Sequence, residues 1–355
     1  MRTVISTVGT SLITNYKKQK ETGAGYLPNR AELFYYLQHA SVDAASAETN
    51  SLSRIVQRDD RLIFLHSHTE EGTLCAEVLK SFYEKKDFDC AVFAIQDLTY
   101  KESRFKMRGL RALVGKMVEL IREEKRKGRM VIINATGGFK AEIAYAVLVG
   151  LLFDVPVYYI HEAFKEIIEM PPSPITWDMG LLAEHEDFFQ WLNDDLRTET
   201  EVNERMNSLP QELRLLITEE DGYAMLTPAG EAFYEAYRSY LEQLTYNDLF
   251  LSSAAQEKIV KGEPGNLDSI LHHLKKLTSV QLRRSQTGQV NNSDCLIYPR
   301  GHCPERIFYY EREGKVYVCE MASHEDGSYE RLLERGVFKN NYSNFLPLNT
   351  IMKMV

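Results

Sequence analysis

Apolar residues in the first half of the chain fall into short continuous runs separated by longer stretches with helical spacing. The short runs predict five strands: Arg2–Val8, Arg61–His66, Cys90–Ile95, Met130–Asn134 and Val155–Ile160. The stretches between them predict helices over Ala31–Leu37, Leu74–Lys86, Met107–Lys127 and Ala141–Phe153. Strands that alternate with helices are typical of a mostly parallel sheet covered on both faces. We therefore expect an α/β domain over residues 1–177, with Glu166–Met170 as a last strand.

The clearest interruption of this pattern is the segment Pro171-Pro172-Ser173-Pro174, which predicts a domain boundary. Residues 178–245 predict a mainly helical connector with a helix fragment at Glu212–Ile217 and a short strand after Gly222. A long helix from Glu231 to Leu244 follows, with Thr227 as its cap and Pro228 at its first position. This order resembles a winged-helix module.

Residues 246–355 predict a small α+β domain in which two helices precede three strands. The predicted elements are a strand Leu249–Ser252, helices Ala254–Lys261 and Leu267–Leu277, strands Cys295–Pro299, Arg306–Tyr310 and Lys315–Met321, and a last helix between Gly327 and Gly336. Arg312-Glu313-Gly314 is typical of a hairpin turn between the second and third of these strands.

Charge divides the chain more sharply than its net value of −9 over 355 residues indicates. Residues 178–245 contain 4 Lys or Arg against 16 Asp or Glu, while the two flanking segments are close to neutral. A surface this acidic repels phosphate backbones. Contact with nucleic acid is therefore expected at the two ends of the chain.

The cysteines indicate whether a disulfide framework or a zinc site is expected, and the apolar runs indicate whether a membrane span is expected. The five cysteines are scattered and form no CxxC pair, so the pattern predicts neither a disulfide framework nor a zinc site. No run of about 18 uncharged apolar residues occurs and the first residues do not resemble a signal peptide. We expect a cytoplasmic protein without a membrane span.

Two loops that follow predicted strands are candidates for binding an anion. Gly9-Thr10-Ser11-Leu12 follows the first strand, and Asn134-Ala135-Thr136-Gly137-Gly138-Phe139-Lys140 follows the fourth. Ligands of open α/β sheets bind at the carboxyl ends of the strands, where glycine permits close backbone approach and hydroxyls donate to phosphate. Neither loop is a Walker A or GxGxxG motif, which argues against ordinary ATP or NAD binding. A purely structural helix cap at the first loop remains an alternative.

Taken together, the two loops resemble those of the CARF domain, the Rossmann-like CRISPR-associated sensor of cyclic oligoadenylates. The residues at the family's ligand-contacting positions are Gly9, Thr10, Ser11, Asn134, Thr136, Gly137, Gly138 and Lys140. The resemblance implies a homodimer with one shared ligand site, no cofactor, and cyclic tetra-adenylate as the allosteric activator. Some CARF domains also cleave their ligand, so a ring nuclease is an alternative function.

The order of elements after residue 246 resembles RelE-type mRNA interferases, which need no metal. This resemblance assigns Arg306, His324 and Tyr329 to catalysis. Two further catalytic candidates are Arg300, which can bind phosphate together with Arg306, and Tyr298, which lies next to the positions of the family's missing lysines. Such a site brings the RNA 2′-hydroxyl into attack on its own phosphate, with a base and a phosphate-binding cation. The lysines of the family's second strand are absent, since Ile297 and Pro299 occupy that region.

Other nuclease classes fit the C-terminal segment less well. A HEPN ribonuclease needs an Arg-x(4–6)-His motif, and no convincing copy occurs in residues 246–355. The Glu-x-Lys at Glu313–Lys315 lies in a predicted turn rather than within a strand, unlike that of restriction-type nucleases.

The combined resemblance is to CARF–RelE fusions of type III CRISPR defence. It implies a ligand-activated endoribonuclease that cuts mRNA, with the ribosome as a partner. A ligand-controlled transcription regulator that reads DNA through residues 178–245 is the alternative from another class, and the acidic balance of that segment argues against it.

Overall fold

The computed structural model describes residues 1–23, 25–99, 107–160, 166–172, 176–262, 264–300 and 303–353. It divides into two compact units. The first unit comprises residues 1–176 and 190–236, and the second comprises 177–189 and 237–355. Parts of the segment 178–245 thus belong to each unit, and the division into three domains at 177/178 and 245/246 stays a prediction. Ser173 and Pro174 of the predicted boundary lie outside the described residues.

The first unit contains a six-stranded sheet. Its strands are β1 (Arg2–Val8), β2 (Arg61–Ser67), β3 (Asp89–Ile95), β4 (Met130–Asn134), β5 (Val157–Tyr159) and β6 (Ile168–Met170). Their order is β3-β2-β1-β4-β5-β6. The first five strands are parallel, and β6 is antiparallel to β5. The predicted strands and the mostly parallel sheet are confirmed.

In the parts of the chain that the structure describes, seven helices connect these strands. They are α1 (Ser11–Lys20), α2 (Arg30–His39), α3 (Val42–Ala45), α4 (Ala47–Ile55), α5 (Glu70–Glu84), α6 (Arg108–Arg126) and α7 (Lys140–Leu152). The four predicted helices correspond to α2, α5, α6 and α7. The sequence pattern did not indicate α1, α3 and α4. Helix α3 has four residues, and the only apolar residues that α4 buries are Leu52 and Ile55. Helix α1 was missed although it buries Leu12, Ile13 and Tyr16.

A small three-stranded sheet and five helices follow. The elements are α8 (Gly180–Glu184), α9 (Glu186–Asp194), β7 (Arg197–Thr198), α10 (Glu199–Met206), α11 (Gln211–Arg214), β8 (Ile217–Glu220), β9 (Tyr223–Leu226) and α12 (Pro228–Gln243). The antiparallel sheet has the order β7-β9-β8. Thr227 caps α12 by accepting a hydrogen bond from the Gly230 amide at 3.0 Å. The cap is as predicted, and the winged-helix identification stays a prediction.

The second unit is built around a mixed six-stranded sheet. Its further elements are β10 (Leu249–Leu251), α13 (Ser253–Lys261), α14 (Pro264–Thr278), α15 (Val280–Gln286), β11 (Gly288–Gln289), β12 (Leu296–Tyr298), β13 (Glu305–Arg312), β14 (Lys315–Ser323), α16 (Ser328–Arg335), β15 (Leu346–Pro347) and α17 (Leu348–Ile351). The strand order is β11-β12-β13-β14-β10-β15, with β10 parallel to β14. Glu313 and Gly314 both have positive φ, at 54° and 76°, as a type I′ hairpin turn requires.

Both faces of this sheet are covered. The alternation of side chains along each strand determines the face to which each residue points. Ile307 belongs to the core that includes Leu274 of α14. Phe308 belongs to the opposite core, which includes Leu332 of α16. Successive side chains of a strand point to opposite faces. The neighbours Glu305 and Arg306 therefore serve different sides of the sheet. The likeness to RelE-type folds stays a prediction.

Across the described ranges, none of the helices combines the length and the apolar character needed to span a membrane.

Candidate functional site

The loops after β1 and β4 meet at the carboxyl edge of the first sheet. The Thr7 hydroxyl donates to the Gly137 carbonyl oxygen at 2.6 Å, and Asn134 Nδ2 donates to Ser6 Oγ at 2.8 Å. The strands β1 and β4 lie side by side, with β2 and β3 on one side and β5 on the other. The strand order therefore reverses here, which is where ligands of open α/β sheets bind.

Glycine is required in these loops because they pack closely on each other and on two carboxylates. A Cβ on Gly9 would lie 2.8 Å from the Gly138 amide nitrogen. Gly138 has φ +93°, and a Cβ there would lie 2.1 Å from the Glu142 carboxylate. A Cβ on Gly137 would lie 2.6 Å from the Thr7 carbonyl oxygen. The glycines thus allow the two loops to form one compact edge.

A buried carboxylate, Glu48, holds part of the predicted anion-binding loop. It accepts hydrogen bonds from the Gly9 amide at 2.8 Å and from Ser11 Oγ at 3.2 Å. Glu48 is fully buried, and this burial raises its pKa. Burial also raises the pKa of Glu142 to about 7. Sequence reasoning missed both groups, since Glu48 lies 39 residues after Gly9 in the unpredicted helix α4.

The other predicted ligand residues lie along the same edge with different exposure. Lys140 is exposed at the start of α7, and Thr10 is half-buried before α1. Asn134 is buried, and its Oδ1 accepts from the Thr136 hydroxyl at 2.9 Å. The loops therefore present the Lys140 ammonium group and the Thr10 hydroxyl next to backbone that is held by the buried carboxylate of Glu48.

In the second unit, three of the five predicted catalytic residues come together beside α16. The Arg306 guanidinium lies over the ring of Tyr329, 5.7 Å from its centroid. The Tyr329 and His324 rings are in edge contact with centroids 4.4 Å apart. His324 Nδ1 lies 2.8 Å from a carboxylate oxygen of Glu330, a partner that the sequence analysis did not identify. A carboxylate at one ring nitrogen fixes the orientation of an imidazole.

Backbone carbonyl groups also hold the Arg306 side chain in place. The residue is only 8% exposed, and its guanidinium donates hydrogen bonds to the backbone carbonyls of Cys303 and Glu305. These contacts fix the guanidinium at the start of β13.

A cavity of about 510 Å³ adjoins Arg306. Its lining includes three basic side chains and five acidic ones: Arg306, Lys258, Lys261, Glu257, Glu305, Glu320, Glu325 and Asp326. Acidic groups therefore outnumber basic ones, and this wall is not the open basic face expected of an RNA-binding surface.

Tyr298 and Arg300 do not join the Arg306 group. Tyr298 is 0% exposed in the core that includes Leu274 and Leu277 of α14, and burial raises the pKa of its hydroxyl. Arg300 is exposed and lines a separate cavity of about 560 Å³ with Arg284. Position in the chain does not specify which face of the three-residue strand β12 carries Tyr298, nor where Arg300 lies in the loop after it.

Comparison with known proteins bears on the first unit. Residues 43–173 match the family model described as CRISPR-associated protein (Cas_APE2256). The matched segment includes the loop with Gly137 and Gly138 and lies within the first unit. The first unit thus contains a segment similar to a CRISPR-associated family, as the CARF resemblance implied.

Two solved structures resemble the chain weakly. Protein VC1899 from Vibrio cholerae has a TM-score of 0.31 and 12% identity, covering 91% of this chain and 77% of that chain. Can2 from Sulfobacillus thermosulfidooxidans, in complex with cyclic tetra-adenylate, has a TM-score of 0.25 and 13% identity, covering 90% and 79%. TM-scores this low support no argument about fold or function.

Proposed function

We propose that the first unit is a CARF-type sensor of cyclic oligoadenylate that controls RNA cleavage by the second unit in type III CRISPR defence. The observation that carries this proposal is the meeting of the β1 and β4 loops at the switch point of a sheet whose segment 43–173 matches a CRISPR-associated family. The activator is cyclic tetra-adenylate, as the loop resemblance implies.

Charge and burial support anion binding at these loops. Lys140 supplies a positive charge and Thr10 a hydroxyl, both of which bind phosphate oxygens. The nearby carboxylate of Glu142 carries a proton below about pH 7 because burial raises its pKa. A neutral carboxyl group removes the repulsion that an ionised one would exert on phosphate. A ring with two-fold symmetry matches an isologous interface, so the binding form is a homodimer.

The second unit supplies residues for metal-independent cleavage by the RNA 2′-hydroxyl. His324 accepts the hydroxyl proton, the 2′-oxygen attacks the adjacent phosphorus, and Arg306 stabilises the charge of the phosphorane. The bond to the 5′-oxygen breaks, and that oxygen takes a proton from solvent. The products are a 2′,3′-cyclic phosphate and a 5′-hydroxyl. Tyr329 packs between the two and stacks on a base or binds the phosphate.

Acidic residues around the Arg306 group limit how closely an RNA backbone can approach it. Phosphates are repelled by the carboxylates that line the cavity near Lys258. These carboxylates include Glu325 and Asp326, which directly follow His324 in the chain, so the RNA backbone needs help from a partner to approach the Arg306 group. The group contains one base and one phosphate-binding cation, so the cleavage rate depends mainly on correct placement of the RNA. The ribosome provides this placement for a translated mRNA.

Lys140 tests the sensor. Lys140→Ala removes a charge-assisted contact worth about 1.5 to 3 kcal/mol, so affinity for cyclic tetra-adenylate should fall by roughly 10- to 100-fold. Isothermal titration calorimetry on the full chain measures this fall. Lys20→Ala, an exposed change of the same charge at the far end of α1, should bind within about twofold of the parent. Equal affinity of the Lys140 variant and the parent would remove the sensor assignment.

Arg306 and Tyr329 test the nuclease. Arg306→Ala and Tyr329→Ala should each lower the RNA cleavage rate by at least about 100-fold while ligand binding persists. Arg312→Ala, at the opposite end of the same strand, should cleave at the parental rate. Parental cleavage by either Ala variant at the start of β13 or on α16 would show that the chemistry lies elsewhere.

A further inference from the structure

Three side chains of different chemistry converge on the α14 side of the second sheet. His273 Nε2 lies 3.0 Å from Cys303 Sγ, and Cys303 Sγ lies 3.0 Å from Glu305 Oε2. The third separation, from His273 Nε2 to Glu305 Oε2, is 4.0 Å. The side chains of His273 and Glu305 are only 13% and 14% exposed. The cluster is therefore built into the fold rather than spread over a flexible surface.

The fold explains why residues 30 positions apart meet. Glu305 lies on the face of β13 that packs on α14, as Ile307 does, while Arg306 serves the opposite face. His273 lies on α14, and its ring is in edge contact with that of the buried Tyr298, with centroids 6.2 Å apart. Two regular elements thus fix two of the three groups, as a preorganised metal site requires.

We propose that His273, Cys303 and Glu305 bind one divalent transition-metal ion, Zn²⁺ being the natural choice. Imidazole nitrogen, thiolate sulfur and carboxylate oxygen are the ligands of zinc in proteins, whereas Mg²⁺ and Ca²⁺ prefer oxygen alone. Metal–ligand bonds of about 2.0 to 2.3 Å in a tetrahedron separate ligand atoms by roughly 3.3 to 3.6 Å. The observed separations of 3.0, 3.0 and 4.0 Å lie on both sides of this range and need only small shifts. Water completes the coordination.

The main rival for this cluster is a nucleophilic cysteine with His273 as its base. In such a site a third group orients the base through its other ring nitrogen. Here the carboxylate of Glu305 accepts from the thiol itself at 3.0 Å. Among the residues that the structure describes, His273 Nδ1 is buried without a hydrogen-bonding partner. A zinc-bound imidazole normally also has a partner at its second nitrogen, so the choice depends on the thiol–carboxylate contact, which favours three ligands around a common point.

An ion can reach the cluster, and its binding would affect a neighbour. Glu305 lines the cavity of about 510 Å³, which provides a path of entry. The backbone carbonyls of Cys303 and Glu305 both accept from the Arg306 guanidinium. A metal bound to these two residues would hold the turn that positions Arg306. This consequence rests on the proposed nuclease function, whereas the metal site itself does not.

Cobalt binding tests the site directly. The full chain, freed of metal with a chelator, is titrated with Co²⁺ and its absorption recorded. One equivalent should produce thiolate-to-cobalt charge-transfer absorption and visible bands of tetrahedral Co²⁺, and Zn²⁺ should abolish both. Cys303→Ser should lose the charge-transfer band, and His273→Gln should weaken binding by more than the roughly 10- to 100-fold that outer-shell changes cost. Cys90→Ser, a half-buried cysteine of the first unit, should behave as the parent.

A second measurement covers the case in which the Ser variant fails to fold. In the parent chain, Zn²⁺ should slow alkylation of Cys303 by iodoacetamide at least about tenfold, as read by mass spectrometry, because the bound thiolate is shielded. Absence of the cobalt band together with unchanged alkylation would overturn the proposal, as would a band that survives in Cys303→Ser. These readouts do not depend on RNA, so a chain that binds Co²⁺ but does not cut RNA contradicts only the proposed function.

Discussion

Two buried carboxylates, Glu48 and Glu142, distinguish the edge where the loops after β1 and β4 meet. Glu48 holds the Gly9 amide and the Ser11 hydroxyl, and Glu142 lies against Gly138. The glycines and hydroxyls could be predicted as candidates because they follow two predicted strands and together resemble the CARF loops. The carboxylates could not be predicted, because the sequence around a glutamate does not indicate that it is buried or that it contacts a residue far away in the chain.

Burial of Glu142 makes the stability of the first unit depend on pH. Its folded pKa of about 7 exceeds the ordinary value of 4.5, so the folded chain holds this proton more tightly than the unfolded chain. The resulting stabilisation is complete below about pH 4.5 and is lost as the pH rises to about 7, a change on the order of 3 kcal/mol. Glu142→Gln, which stays neutral, should remove this loss. Urea unfolding midpoints at pH 5 and pH 8 measure it.

The comparison between parent and variant isolates Glu142 from other titrating groups. Glu166→Gln, an exposed change of the same type in the first unit, should keep the parental pH dependence. If the urea midpoint of Glu142→Gln changed between pH 5 and pH 8 as much as that of the parent, this carboxyl would not titrate near neutrality in the folded chain.

At the scale of elements, long periodic segments were predictable and short ones were not. Apart from the two-residue strands β11 and β15, the strands of both large sheets were predicted from apolar spacing, as were the helices α5, α6, α13 and α14. Helix α3 has only four residues, and three of the buried residues of α4 are polar, so tertiary contacts rather than apolar periodicity specify these two helices. The same limit applies to Tyr298, since a three-residue strand does not reveal which of its side chains enters the core.

A buried ion pair joins α9 to α14 in the second unit. Lys276 is 3% exposed and pairs with Glu186, which also lies 2.8 Å from His272 Nε2. Burial alone would raise the pKa of Glu186, but the hydrogen bond from His272 and the charge of Lys276 lower it to about 2. Glu186→Gln leaves the lysine charge buried without its partner, which should destabilise the second unit by roughly 3 to 5 kcal/mol. The midpoint of urea unfolding, followed by circular dichroism, measures this change.

An exposed glutamate–lysine pair in the same unit provides the matched control. Glu257 and Lys261 lie one turn apart on α13 with side chains 61% and 72% exposed. Glu257→Gln should change stability by less than about 1 kcal/mol. Similar effects of the two substitutions would mean that Lys276 does not depend on Glu186 for its burial.

At the scale of the whole molecule, we propose that ligand binding at the edge where the β1 and β4 loops meet controls the Arg306–Tyr329–His324 group of the second unit. A ligand can activate only if it binds the active arrangement more tightly than the inactive one. The acidic character of the segment 178–245 was evident from composition, whereas the division into three domains stays a prediction. The division of that segment between two compact units was not, because contacts rather than composition determine it.

The most direct measurement of the central claim is cleavage of a translated mRNA by the full chain with and without cyclic tetra-adenylate, in the presence and absence of ribosomes. The account predicts cuts that depend on the ligand, are enhanced by ribosomes, and leave 5′-hydroxyl and 2′,3′-cyclic phosphate ends. Cleavage at the same rate without the ligand, 5′-phosphate ends, or no cleavage under any of these conditions would contradict it.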